Sequence, residues 1–245
     1  MHYFIGIDDT DDVVGPGTGH RARALGGFIA TDNRGELAGI TRHQLLVAPG
    51  VPYTSHNSSA CLAVTWHGAA EALANLCRGY LVDDAAPGSD VGLCIVPAKD
   101  VGESIQFFGH RAKCEIVDMA EAFALAAGRG ILLEGLTGTR CGVIGALSAV
   151  GLRATGGDGR FIWLRGAREL SGIYARGWLC AETGIDEVAT LDGTVVPEDA
   201  TVNVGNWVRP VLRNWRATLL VESADGTADG RWRCVSRDVV KACSN

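Results

Sequence analysis

The stretch Met1-His-Tyr-Phe-Ile-Gly-Ile-Asp8-Asp9-Thr10-Asp11-Asp12-Val-Val-Gly15-Pro-Gly17-Thr18-Gly19-His20 sets the reading of the whole chain. Tyr3 to Ile7 is a short apolar run that reads as a buried strand. It ends in four carboxylates, Asp8, Asp9, Asp11 and Asp12, followed by the glycines 15, 17 and 19 and then by a helical pattern. Carboxylates crowded at one strand end repel one another, and a divalent cation among them relieves that repulsion. Glycines let backbone N–H groups approach an anion, and a helix N-terminus adds a favourable dipole. Acids, glycines and helix in this order point to a Mg²⁺-chelated phosphate beyond the carboxyl end of a strand. Asp and Gly are also the commonest turn formers, so a solvated loop is the competing reading.

Composition narrows the class. The chain has 245 residues, 47% hydrophobic and 20% charged, enough for one large globular domain or two small ones. Its net charge of −6 is a poor footprint for holding a nucleic acid backbone, so the expectation is no nucleic acid partner and a small-molecule acceptor. No run of 18 apolar residues and no secretory pattern is present, so no membrane association is expected. The eight cysteines form no Cys-x-x-Cys pair, which argues against a zinc ribbon, and they read as reduced thiols of a cytoplasmic protein. The six histidines show no His-Glu-x-x-His spacing. Nothing in the chain speaks to oligomeric state.

Further along, Thr18 is placed to cap a helix running to about Ala30. Residues 36–47 read as one or two strands, Ala60–Trp66 as an apolar strand, Gly68–Gly79 as a helix and Val91–Pro97 as another strand. Arg111–Ala127 reads as one helix with Ile116, Met119, Ala120 and Phe123 on a face. Gly135 to Gly151 reads as a helix whose small residues allow close packing on a sheet. Its start, Gly138-Thr139-Arg140, is placed to point N–H groups at phosphate, unless the glycines serve packing alone. A turn at 156–159 leads into a strand at Arg160–Leu164, and beyond about 168 the texture is β-rich with Asp-Gly turns at 192, 225 and 229. Strands and helices alternate, giving an α/β or α+β class.

Several of these motifs resemble those of the archaeal enzymes that attach agmatine to a cytidine of isoleucine tRNA, the agmatinylcytidine synthetases. Gly6-Ile-Asp-Asp-Thr-Asp11 resembles their opening motif, and Thr18 aligns with a Thr of the following loop. His56-Asn57-Ser58-Ser59-Ala60 is similar to their Arg-Gly-Asn-Ala-Ala, with Asn57 matching the Asn. Gly88-Ser-Asp-Val-Gly92, Gly142-Val-Ile-Gly-Ala-Leu-Ser-Ala-Val-Gly151 and Arg209-Pro-Val-Leu-Arg-Asn-Trp-Arg216 complete the series in the same order. The resemblance implies a kinase-like α/β domain combined with a ferredoxin-like domain, without the family's OB-fold and zinc ribbon. It also implies an ATP site in which Asp8, Asp9 and Asp11 hold Mg²⁺. The chain departs from the pattern at Gly17-Thr18-Gly19-His20, where the family has Cys-Thr-Thr-Tyr, and at Cys141, where it has Arg.

The resulting expectation is a kinase-like nucleotide-binding region over 1–165, open to interruption by part of the second domain. A β-rich remainder over 166–245 contributes to a ferredoxin-like domain. Function is read as a Mg-ATP-dependent phosphotransferase or ligase, with a nucleotide-binding protein without turnover as the alternative. Asp8 and Asp9 bind metal with Asp11 assisting. Gly15, Gly17 and Gly19 and the segment Gly138–Gly142 cradle the triphosphate, and Arg140 adds positive charge. Thr18 touches phosphate or metal, accepts phosphate, or only caps the helix. Asn57 and His56 orient the acceptor or form a polar turn. A third reading is an RNA-associated module in which Trp207, Arg209, Arg213 and Trp215 share one side of a strand and stack bases. The same residues equally suit the cover of a half-exposed strand.

Overall fold

The computed structural model describes residues 1–10, 15–51, 56–224 and 232–244. They divide into two compact units, 1–155 and 156–245. The strand at residues 160–163, which the sequence reading put in the first region, falls in the second unit.

The first unit is organised on β1 (His2–Asp8). Its continuous apolar run makes it a central strand, and Ile5 and Ile7 are fully buried. Helix α1 (Thr18–Thr31) leads to β2 (Gly35–Gln44). Strand β3 (Ser58–Trp66) and helix α2 (Ala70–Asp84) then lead to β4 (Gly92–Pro97). β1 pairs antiparallel with both β3 and β4, and β3 pairs antiparallel with β2. The spatial order β4-β1-β3-β2 makes two interlocked βαβ halves, the ferredoxin-like or split βαβ arrangement, and it falls in residues 2–97.

Two helices follow, α3 (Glu103–Cys114) and α4 (Met119–Ala127), before edge strand β5 (Leu132–Gly135) and helix α5 (Val143–Ala154). The single helix expected over 111–127 is therefore broken. Asp118 caps α4 by accepting from the Glu121 N–H at 2.8 Å, and a side-chain cap requires the chain to leave helical geometry there. Ile116, expected on the apolar face, lies in the break and is exposed. α3, α4 and α5 pack on one sheet face, where Ile105, Phe108, Ala122, Leu147 and Val150 meet Cys61, Cys94 and Val96. α5 lies so close to β1 that a Cβ at Gly6 would overlap the Ala146 carbonyl.

The second unit is β-rich. β6 (Arg160–Trp163) pairs with β10 (Val211–Arg213), which forms a hairpin with β11 (Arg216–Ser223). β11 continues onto β12 (Trp232–Cys234), β12 runs parallel to β9 (Thr201–Gly205), and β9 pairs with β7 (Gly172–Ala175). β8 (Glu187–Ala189) adds in parallel to β11. Helix α6 (Arg176–Glu182) contributes Leu179 to a core with Phe161, Val188, Val202, Leu212 and Leu219, and α7 (Arg237–Ser244) closes the unit. The expected one-sided strand through 207–215 is not formed: only Val211–Arg213 is strand, and Asn214 and Trp215 turn the hairpin with φ of 51° and 60°. The Asp-Gly turns at 225 and 229 lie outside the described residues. No helix among the described residues is long and apolar enough to cross a membrane.

Candidate active site

The cleft of the first unit has a volume of about 260 Å³, room for part of an organic ligand rather than for a few waters. It opens where β1 ends at Asp8. Asp9 follows with φ of 51°, a left-handed conformation in which a short polar side chain such as Asp is tolerated, and the chain turns out of the sheet there. Asp8 and Asp9 both line the cleft, as do Gly17, Thr18 and Gly19 at the start of α1. Gly142, before the first turn of α5, lines it too, with Gly145 within that turn. Leu45, Leu46, Val51, Ala112, Ile116, Val117 and Ile144 give it an apolar part. Acids, two helix starts and aliphatic side chains around one cavity suit an ionic group joined to an apolar ring.

The small residues of α5 make this geometry possible. A Cβ at Gly145 would overlap the Asp8 carboxylate, so glycine there allows the carboxylate to lie against the helix start. A Cβ at Gly142 would overlap the Asp90 carbonyl. The first N–H groups of α5 are already engaged, Val143 with the Arg140 carbonyl at 3.2 Å and Ile144 with that of Cys141 at 3.1 Å. α5 therefore offers its dipole rather than these donors. α1 starts one residue earlier than the expected cap implies: Gly17 occupies the N-cap position without a side-chain cap, and Thr18 is the first helical residue, buried.

The structure thus brings Asp8, Asp9, Gly17, Thr18, Gly19, His56, Asn57 and Gly142 into one cleft. Asn57 lines it while its side-chain amide donates to the Leu46 carbonyl at 2.6 Å, so it also braces the apolar wall. Gly15 is exposed and not among the lining residues. Asp11 lies outside the described residues. Gly138 and Arg140 are not brought into the cleft. They occupy an exposed turn ahead of α5, with φ of 53° and 71°, and the Arg140 side chain packs on Gly135. The helix starts at Val143 rather than near 138 because Gly138 and Arg140 adopt left-handed geometry.

Three contributors were not named as site residues from the sequence. Asp90 and Cys141 meet Asp9: the Cys141 thiol lies 3.5 Å from Asp9 Oδ2 and 3.7 Å from Asp90 Oδ2. Asp90 also accepts from the Thr139 N–H. One ligand atom from each of Asp9, Asp90 and Cys141 lies within 4.8 Å of the others. Desolvation, with the two carboxylates adding to it, pushes the Cys141 thiol up to about 11, so it stays protonated and donates to them. A neutral thiol is no ligand for Mg²⁺, which selects oxygen, whereas the carboxylates of Asp8 and Asp9 suit it. The third is Arg42, at the cleft wall on β2.

No family model matches the chain, and no curated protein matches it. Solved structures do. Apo TiaS, an agmatidine synthetase acting on an isoleucine tRNA, matches with a TM-score of 0.54 and 21% identity over 62% of this chain and 35% of that one. A tRNA fluorescent labelling enzyme matches with a TM-score of 0.54 and 23% identity over 62% and 36%. The complex of TiaS with its tRNA and ATP matches with 0.54 and 21%, over the same shares. The last overturns the expectation that nucleic acid is no partner for such a protein, since a structure of this fold is held with tRNA as well as ATP. A whole-chain charge is a sum and does not say where basic side chains gather. Residues 1–155 hold 11 basic against 16 acidic side chains, whereas 156–245 are nearly balanced at 11 against 12, so a total of −6 describes no particular surface. This chain spans about a third of the length of the structures it matches, and over 62% of its own residues it has the fold of TiaS.

Proposed function

We propose that this chain is the ATP-using part of an RNA-directed ligase or phosphotransferase, with the cleft of the first unit as its ATP site. The observation that carries the reading is the convergence of Asp8 and Asp9 with the starts of α1 and α5 around one partly apolar cleft. The likeness in fold to a protein solved with tRNA and ATP, and with agmatine and an ATP analogue, supports it.

In this reading Asp8 and Asp9 hold Mg²⁺. When bound, the metal neutralises charge on the transferring phosphate, which is most of what phosphoryl transfer requires. The starts of α1 and α5 would add positive potential from their dipoles, about half a charge each, toward a phosphate bound in the cleft. Gly17 and Gly19 leave room for close approach of the backbone. The Cys141 thiol, donating to Asp9 and Asp90, limits repulsion between these two acids and keeps Asp9 oriented. The aliphatic wall from Leu45 to Ile144 takes the apolar face of the base and excludes water. Thr18, buried at the start of α1, is in place to contact phosphate.

The test is ATP turnover with bulk tRNA as the candidate acceptor, comparing the native protein with Asp8→Asn. The expected outcome is tRNA-stimulated consumption of ATP that Asp8→Asn abolishes while its melting temperature is unchanged. Unchanged turnover in Asp8→Asn removes the assignment. ATP binding without turnover on any acceptor favours a nucleotide-binding protein instead.

A further inference from the structure

Arg42 differs from the ion-paired arginines of the chain. Arg21 sits 2.9 Å from Asp84, Arg78 2.8 Å from Glu134, Arg216 3.0 Å from Glu187 and Arg233 2.9 Å from Glu222. Arg42 is half-buried at the cleft wall, and its guanidinium makes one hydrogen bond, Nη2 to the neutral Gln44 Oε1 at 3.2 Å. Among the described residues no carboxylate lies within ion-pair distance of it. Burial disfavours its charge, and the Asp8 carboxylate opposes that from a distance. A guanidinium does not deprotonate in a protein, so the cost of desolvating it stays in the structure until an anion arrives.

The position of Arg42 says what that anion is. On the sheet, Arg42 is in register with Ala60 of β3, which is in register with Ile7 of β1, the residue before Asp8. Arg42 therefore stands two strands across from the end of β1, in the same cleft as Thr18 and Gly19 of α1. Gln44, two residues along the same strand, is itself braced, its Nε2 donating to the Asn57 carbonyl at 2.6 Å, so the hydrogen bond to Gln44 Oε1 holds the Arg42 fork in place. A planar fork with spare N–H donors, set across from carboxylates that suit a cation, matches a phosphate group carrying its own metal ion.

We propose that Arg42 is the phosphate-anchoring residue of this cleft, donating to phosphate oxygens opposite the Asp8–Asp9 side. The inference rests on the reading of the cleft as a phosphate site and adds a residue that neither the sequence motifs nor the fold likeness assigns. Arg42 is a binding and positioning residue. Its removal lowers affinity for the polyphosphate moiety, with or without a base attached.

The experiment is titration calorimetry with Mg-ATP and, separately, with inorganic tripolyphosphate plus Mg²⁺, on the native protein, Arg42→Met and Arg42→Lys. Each ligand-free melting temperature is recorded beside it. Losing charge-assisted hydrogen bonds to phosphate predicts affinity about 10- to 100-fold weaker for both ligands in Arg42→Met. Arg42→Lys is expected to recover part of that loss, because it keeps the charge without the fork. The ligand-free melting temperature of Arg42→Met is expected to stay level or rise, since an unpaired half-buried charge has been removed. Native-like binding by Arg42→Met overturns the inference and leaves the ATP reading standing. A fall in its ligand-free melting temperature alongside the lost affinity overturns it too, because that marks a structural arginine. Tripolyphosphate binding that depends on Arg42, without ATP binding, upholds the anchor and removes the nucleotide. No binding of either ligand by the native protein removes both.

Discussion

Particular glycines and arginines of the two units stand in contrasting surroundings. In residues 1–155, α5 is pressed against the sheet through Gly6, Gly142 and Gly145. That closeness sets Asp8 and Asp9 beside a helix start, in a cleft where Arg42 has no ion-pair partner among the described residues. In residues 156–245, Gly157 faces open space. There Arg216 and Arg233 pair with glutamates, and Arg165 and Arg213 are spent on backbone carbonyls. Trp207 is flanked by Arg209 and Arg237 at 5.4 and 5.3 Å from its ring. Close packing beside a half-buried arginine without an ion-pair partner is the setting in which binding sites are commonly found, whereas the arginines of the second unit named above are engaged within their own unit.

The buried thiols set the two units apart most strongly, three in the first and one in the second. Desolvation pushes Cys61 and Cys77 in the first unit up to about 12, and Cys94 further still. In the second unit burial likewise raises Cys234 to about 12. A thiol whose folded pKa is raised stabilises the fold fully below its unfolded value of 9.0, and that contribution is lost as pH climbs towards the folded value. Each buried thiol then costs about 1.4 kcal/mol per pH unit, or about 4 kcal/mol for the three of the first unit near pH 10. Denaturant unfolding between pH 7 and pH 10 measures it. Replacing Cys61, Cys77 and Cys94 together should remove about half of the alkaline slope, since Cys141, Cys180 and Cys234 are raised as well, and replacing Cys234 alone should remove about a third as much as the three.

Glycine substitutions give the next contrast. Gly6→Ala drives a methyl into the Ala146 carbonyl and should cost about 3 kcal/mol, whereas Gly157→Ala should stay within about 0.5 kcal/mol. Equal costs at both sites, read by denaturant midpoints, would show that α5 is not held as tightly as described. Asp118→Ala removes the cap of α4 and should cost about 1 kcal/mol without altering nucleotide affinity, which separates stability of the first unit from function of its cleft.

Much of this was legible in the sequence, and the rest failed for definable reasons. The strand ending in Asp8-Asp9 and the strand at residues 58–66 were plain because a buried central strand is continuously apolar. Asp8, Asp9, Gly17, Thr18, Gly19, Asn57 and Gly142 share the cleft because each lies at an element end or in a turn, where sequence signals are strongest. The break between α3 and α4 carried a signal that periodicity overrode, the Asp118-x-x-Glu121 capping pattern. Arg42 had no local signal, and Asp90 and Cys141 lay within or beside quoted motifs with nothing local to bring them to Asp9. Arg42 reaches the cleft only through the pairing of β2 with β3 and β3 with β1, and Cys141 meets Asp9 across 132 residues of chain. Net charge is a weak guide to nucleic acid because it is a sum over the whole chain and does not say where basic side chains gather.

The central claim is that the cleft beside Asp8 and Asp9 binds Mg-ATP. Titration calorimetry of the native protein with ATP, with and without Mg²⁺, tests it most directly. Binding in the micromolar range that requires Mg²⁺ and is lost in Asp8→Asn is expected. Absence of binding under both conditions would contradict it and leave the acid–glycine motif as scaffold.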